Sequence, residues 1–423
     1  MGAPEVPFIR RATTIAALLM LASVGAANAV EPIYGPLTHD RTATALARYR
    51  DLAARGGWAS LPGVVKSLAR GATGPEVALL HKRLSITGDI DEAHAASETF
   101  TQATTDALKK FQARHGLSLT GTVGVLTLKA LNAPVDARVK QLSASLERLK
   151  NNGFVFANRY VVVNIPGAVA EAVENGQVAR SYAAIVGKPD RPSPVIEARI
   201  TAINLNPTWT APISIAKADI VPKMAADPSF LSKNNMRVIG HNGAEIDAST
   251  IDWAKVAAIP FSIRQDAGPT NALGQVRIDM PNAHAVYMHD TPRKSLFRSD
   301  VRFHSSGCAR IQDVRDLATW LLEGTGIDRI AIETGIESGE TKTIRLARPA
   351  PVAWIYLTAW ASGDGEVQFR DDIYKLDDSP EEIASSTLVA RRNKPAPDPV
   401  TTGSVPAKPK PKVVASTLSV DER

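Results

Sequence analysis

The hydrophobic pattern changes period once along this 423-residue chain, and that change limits the folds open to it. Up to residue 152 apolar side chains recur at helical spacing. Ala43, Leu46 and Ala47 stand among charged positions in residues 40–58. Val77, Leu80 and Leu84 share one face, as do Leu108 and Phe111, and Val139, Leu142, Leu146 and Leu149 line one side of residues 136–152. From Arg159 onward the pattern turns to β-branched runs at 159–165, 178–186, 198–205, 276–280 and 285–288. Glu174-Asn175-Gly176 stands between the first two, and Asn-Gly is a strong hairpin signal. The sequence therefore predicts a multidomain α+β protein, with a small helical unit in front of a mainly β module.

Both ends of the chain stand apart from this core. Arg10 and Arg11 precede an apolar run, 12–25, that ends in Ala27-Asn28-Ala29. A basic start, a short apolar stretch and small residues at the end are the parts of a secretory signal. The run is too short to span a bilayer, which takes about 20 residues. Residues 1–29 are thus expected to be removed, leaving a protein without a membrane span outside the cytoplasm. The formal charge of +6 fits anionic surroundings, and export disfavours nucleic acid among them. Residues 379–423 are rich in Pro, Ser and Lys and are expected to be disordered.

Between the ends, residues 30–64 read as a linker and helical scaffold, 65–133 as a compact helical unit and 134–157 as a connecting helix. The β module follows over 158–335, interrupted by a polar insertion, 211–260, of the kind that forms a lid. A last β segment covers 336–378. Residues 65–133 contain L-A-R-G-A-T-G from Leu68, F-Q-A-R-H-G-L from Phe111 and T-G-T-V-G from Thr120. They resemble the peptidoglycan-binding domain that accompanies many wall hydrolases.

The chemistry concentrates in one short stretch. His284, His289, His304 and the sole cysteine, Cys308, fall within 25 residues. One cysteine forms no internal disulfide, so Cys308 is a buried bystander, an intermolecular link or a reactive thiol. It precedes a helix expected over 312–323, where a helix N-terminus would favour the thiolate. Gly307 permits a tight turn that aims amide N–H groups at an oxyanion. Arg310 offers a fork to a carboxylate, or an ion pair. A thiol nucleophile needs a base. Alternation along 285–289 puts His289 on the Tyr287 face at the strand end, ahead of His304 as the candidate.

The stretches Y-M-H-D-T-P from Tyr287 and H-S-S-G-C-A-R from His304 resemble the signature of the YkuD-type L,D-transpeptidases. I-V-G-K-P-D-R-P-S-P from Ile185, N-P-T-W from Asn206, N-A-L-G from Asn271 and V-Q-F-R-D-D-I-Y from Val367 extend the likeness to the large Gram-negative branch. The resemblance implies Cys308 as nucleophile and His289 as general base. The Asp290 carbonyl would orient the imidazole, and the Gly307 and Cys308 amides would form the oxyanion hole. Arg310, Tyr287, Ser306 and Trp209 would contact substrate. The implied compartment is the periplasm, and the implied partners are peptidoglycan stem peptides and glycan strands, with outer-membrane proteins as further acyl acceptors. The implied reaction needs no cofactor, and carbapenems would acylate the thiol. Ser306 stands where many members carry a second histidine.

Two other readings use the same residues. The three histidines and Cys308 are all possible zinc ligands of a peptidoglycan peptidase or amidase, although H-E-x-x-H is absent. A non-catalytic wall anchor would explain the helical unit and leave the Gly-Cys loop without a purpose.

Overall fold

The computed structural model describes residue 2 and residues 30–378, except 64, 66, 67, 151, 152 and 257. The export signal and the tail lie outside the described residues. Five helices open the chain: α1 (Thr38–Ala54), α2 (Pro75–Ile86), α3 (Gln102–Arg114), α4 (Val125–Leu131) and α5 (Val135–Lys150). Leu80, Leu84, Leu108, Phe111 and Leu131 form the core of the small unit, all fully buried. Its helices therefore bury the stripes that the spacing predicts. In α1 the buried face is Thr42, Ala45, Leu46 and Tyr49 rather than Ala43 and Ala47. Tyr49 draws the helix round, because its ring packs edge-on to Phe369 at 5.4 Å.

The β module begins with β1 (Arg159–Asn164), β2 (Val169–Glu174), β3 (Gln177–Gly187) and β4 (Ile196–Leu205). The Asn175-Gly176 hairpin joins β2 to β3, not β1 to β3. Both turn residues have positive φ, +52° and +77°, as a tight hairpin requires. The expected strand pair had no β2, whose V-A-E-A-V-E run lacks large apolar side chains.

An insertion follows, built on β5 (Trp209–Thr210), α6 (Ile213–Ile215), α7 (Val221–Ala226), α8 (Phe230–Lys233), β6 (Met236–Ile239), β7 (Glu245–Ile246) and β8 (Ser262–Gln265). Its strands form a separate sheet in the order β5-β8-β6-β7. Ile220, Met224, Val238, Trp253 and Ile263 give it a core of its own. The insertion thus packs as a unit of its own.

The main sheet is completed by β9 (Val276–Asp279), β10 (Met288–His289), β11 (Phe303–Ser305) and β12 (Ala309–Ile311). After α9 (Val314–Leu321) and α10 (Arg329–Glu337) comes the long β13 (Lys342–Ile355). The strand order is β11-β3-β12-β10-β9-β4-β13-β1-β2, and β2 also pairs with β3, so the sheet closes on itself. Strand β13 lies between β4 and β1 in mid-sheet. The segment after residue 335 therefore supplies an inner strand of the sheet. Met288, Ala309, Ile311, Leu317 and Ile332 pack between the sheet and the last two helices.

A final hairpin, β14 (Ala359–Ala361) and β15 (Val367–Phe369), packs against α1 and α5. It also ties in the small helical unit. Arg114 makes a buried bidentate pair with Asp89, at 2.6 and 2.5 Å, and reaches the Val367 carbonyl. Arg370 bonds the Arg114 carbonyl at 2.9 Å, through space that Gly116 leaves open.

Candidate active site

Two adjacent parallel strands set out the site. The register pairs Met288 with Ala309 and His289 with Arg310. Cys308, one residue before β12, thus lies across from Tyr287, whose carbonyl accepts from the Ala309 N–H at 3.3 Å. Side chains alternate along extended chain. Met288, Ala309 and Ile311 point to the core and are fully buried, so Tyr287, His289, Cys308 and Arg310 share the opposite face. Strand spacing and rise put the Cα atoms of Cys308 and His289 about 8 Å apart, one strand across and two residues along. The row continues sideways through Arg277 on β9 and Asn204 on β4. Arg277 bonds Asp279 at 2.7 Å and lies 5.4 Å from the centre of the Tyr287 ring. Beside Tyr287 runs a groove of about 440 Å3, lined in part by Asn204, Asp279, Asn282 and Arg345.

His289 is buried, and its Nδ1 lies 2.5 Å from the Asp290 carbonyl oxygen. A carbonyl only accepts, so Nδ1 carries the proton and the basic lone pair is on Nε2. The Leu273 carbonyl lies near the ring as well. Burial, helped by the charge of Arg310, pushes the imidazole down to about 3. Asp290 is itself held in place. Its carboxylate accepts the Gln275 N–H at 3.1 Å, pairs with Lys294, and packs over Gly274. A Cβ at position 274 would come within 2.5 Å of Asp290 Cγ, and Gly274 has a positive φ of +61°.

Cys308 is half-buried, and burial pushes its thiol up to about 11, against a Tyr287 N–H hydrogen bond and the charges of Arg310 and Arg277. This differs from the expected thiolate at a helix N-terminus. Residues 309–311 form a strand, Asp313 turns at φ +47°, and the helix begins only at Val314. The thiol is too far from that end to feel its dipole, which acts within the first turn.

The amides of the cysteine loop also divide. The Gly307 N–H donates to Ser305 Oγ at 3.2 Å, so it is already engaged. The Cys308 N–H donates to no acceptor among the described residues. The expected pair of oxyanion donors is therefore reduced to one free amide at Cys308.

Arg310 has no carboxylate partner among the described residues, and its Nε is buried without a hydrogen bond. Trp209, on the first strand of the insertion, lies close to the Tyr287 hydroxyl. Ser306 is exposed and receives a 3.2 Å hydrogen bond from Arg191, which pairs with Asp219 of the insertion at 2.5 Å. His284 and His304 are exposed, and the His304 ring meets the Val301 carbonyl. His289 thus shares the Cys308 face, whereas His284 and His304 are exposed side chains. No group of three or more His, Cys, Asp or Glu side chains suited to a metal occurs among the described residues.

Sequence reasoning missed Arg277, Arg191 and Asp219 of the insertion. It also gave no task to Asn271, which is fully buried and fixes the turn that presents Leu273 to His289. Only the N-A-L-G motif pointed there.

Residues 158–332 match the family model described as the L,D-transpeptidase catalytic domain, YkuD. The chain carries an L,D-transpeptidase catalytic domain. Residues 73–131 match the peptidoglycan-binding domain, so the small helical unit is assigned as well. A Haemophilus influenzae protein, named as a candidate L,D-transpeptidase, is 34% identical over 218 residues, which cover 51% of this chain and 44% of that protein. The chain thus spans under half the length of this relative. Two solved L,D-transpeptidase structures are distant neighbours. That from Xylanimonas cellulosilytica has 16% identity, covers 70% of this chain and 100% of its own, and has a TM-score of 0.22. That from Stackebrandtia nassauensis has 12% identity, coverages of 69% and 96%, and a TM-score of 0.27.

Proposed function

We propose that the protein acts outside the cytoplasm as a peptidoglycan L,D-transpeptidase that joins diaminopimelate residues of neighbouring stem peptides through a Cys308 thioester. The observation that carries this reading is the shared polar face. It places a lone thiol, an imidazole whose Nδ1 proton is held by the Asp290 carbonyl, and an arginine without a carboxylate partner among the described residues on adjoining strands.

In the resting site both partners are neutral, since the thiol titrates high and the imidazole low. The proton therefore moves as the bond forms. His289 Nε2 takes the Cys308 proton while sulfur attacks the donor carbonyl ahead of its terminal D-alanine. The oxyanion accepts the Cys308 N–H. The C–N bond breaks, the nitrogen takes the proton from His289, and D-alanine leaves. The acceptor amine gives a proton to His289 and attacks the thioester, forming the new amide and restoring the thiol. Water in place of the amine gives a carboxypeptidase. Arg310 suits a carboxylate of the stem, and Trp209 with Tyr287 forms the lid-side wall. The peptidoglycan-binding domain would hold the glycan or stem close by, and an amine on an outer-membrane protein is a second acceptor of the same chemistry.

The test is mass spectrometry of muropeptides after incubation of purified protein with stem-peptide donors and acceptors. Wild type should release D-alanine and form a crosslink, and Cys308→Ser should form neither. Products from Cys308→Ser, or products that vanish with a chelator, would remove the thiol from the reaction.

A further inference from the structure

The V-Q-F-R-D-D-I-Y stretch ends in a tyrosine that the chemistry above does not use. Tyr374 Oη donates to the Gly187 carbonyl at 2.5 Å and accepts the Ser193 N–H at 3.2 Å. Ser193 is buried, and its hydroxyl is used twice. It accepts the Gly187 N–H at 2.9 Å and donates to the Gly307 carbonyl at 2.7 Å. The direction is forced, because neither an N–H nor a carbonyl can exchange roles.

That last carbonyl matters for the thiol. It shares a peptide plane with the Cys308 N–H, and in a trans peptide the two point opposite ways. Pinning one aims the other. The same hydrogen bond polarises the peptide and strengthens its N–H as a donor. Gly307, at φ +115°, lends the plane no stiffness of its own. The brace is itself anchored. The Tyr374 N–H donates to Tyr356 Oη at 2.8 Å, Tyr356 donates to Asp372 at 2.6 Å, and the two rings stack at 5.5 Å.

We infer that Tyr374, acting through Ser193, is a positioning residue that aims the Cys308 N–H at the oxyanion. The inference rests on the thioester reading above. It predicts that losing the tyrosine hydroxyl slows attack on carbonyls and spares reactions that form no oxyanion.

The experiment compares two electrophiles on the full chain by intact-protein mass spectrometry. A carbapenem acylates sulfur through a tetrahedral oxyanion, whereas iodoacetamide alkylates it at a saturated carbon. Tyr374→Phe keeps the ring stack and should acylate about tenfold more slowly, less than the roughly 10²–10³ lost when such a donor is deleted. Alkylation should stay within about twofold of wild type. Ser193→Ala should show the same split, and the double variant should acylate no more slowly than Ser193→Ala, since both act through one carbonyl. Wild-type acylation rates in both single variants overturn the inference, as does an equal slowing of both electrophiles, which marks a loop merely loosened. Should Tyr374→Phe fail to fold, Ser193→Ala decides by the same criteria. A wild type that alkylates but never acylates sinks the thioester reading, and the positioning role falls with it.

Discussion

The ionisation of Cys308 gives the sharpest quantitative prediction. Its thiol lies at about 11, where an unperturbed one lies at 9.0. Two units amount to a hundredfold in thiolate population at any pH well below both values. At pH 7.5 the thiolate fraction is then about 3 × 10⁻⁴ rather than about 3 × 10⁻². Only the thiolate alkylates, so iodoacetamide should modify Cys308 about 100-fold more slowly than an unperturbed thiol at that pH. Between pH 6.5 and 9.5 the rate should climb about tenfold per unit without levelling. The imidazole, pushed down to about 3, offers no positive charge to hold a thiolate near neutrality. A plateau in the alkylation rate between pH 6 and 8 that disappears in His289→Ala would mean a standing thiolate–imidazolium pair. That result would refute the neutral resting state argued from burial.

Three further predictions follow from neighbouring geometry. His289→Ala should lower the acylation rate by ~10²–10⁴-fold while His304→Ala does much less, as measured by D-alanine release. Gly274→Ala should destabilise the fold by about 2 kcal/mol in denaturant melts and slow turnover, because the new Cβ strains a left-handed residue and displaces Asp290 from under His289. Glu171 is buried with no cation partner among the described residues, and burial raises its carboxyl from 4.5 to about 7. As pH rises from 4.5 towards 7 the unfolded chain loses this proton while the fold keeps it, so stability falls over that window. Glu171→Gln should therefore stabilise by up to about 3 kcal/mol at pH 8 and by little at pH 4.5. An equal gain at both values would place the effect elsewhere.

Legibility followed the physics of each segment. The helices of the peptidoglycan-binding domain were readable because Val77, Leu80, Leu84, Leu108 and Phe111 make one-sided stripes that no other structure buries so well. Strand β2 escaped because alanine and glutamate dominate it, and β13 stood only inside an undivided β segment, 336–378, because Arg345, Arg348 and Pro349 break its apolar pattern. Cys308 and His289 stood out by residue type and rarity. The dipole argument for a thiolate failed because residues 309–311 paired with β10 instead of joining the helix. Ser193 and Tyr374 stood inside the quoted motifs without a task, and Arg277 was not read at all, since each acts on a partner brought in by the closed sheet and leaves no spacing to detect.

The place of β13 also bears on how the chain reaches this state. Val161 pairs with Val352 and Ile203 with Ile344, contacts that span much of the domain's length. Closing such long loops costs entropy before any pairing rewards it, so assembly of this sheet should be slow relative to the helices ahead of it. Until residue 355 is available, β1 and β4 each present an unpaired edge to other chains. A truncation after residue 332, where the catalytic-domain match ends, would therefore produce an open, self-associating sheet and not a smaller enzyme.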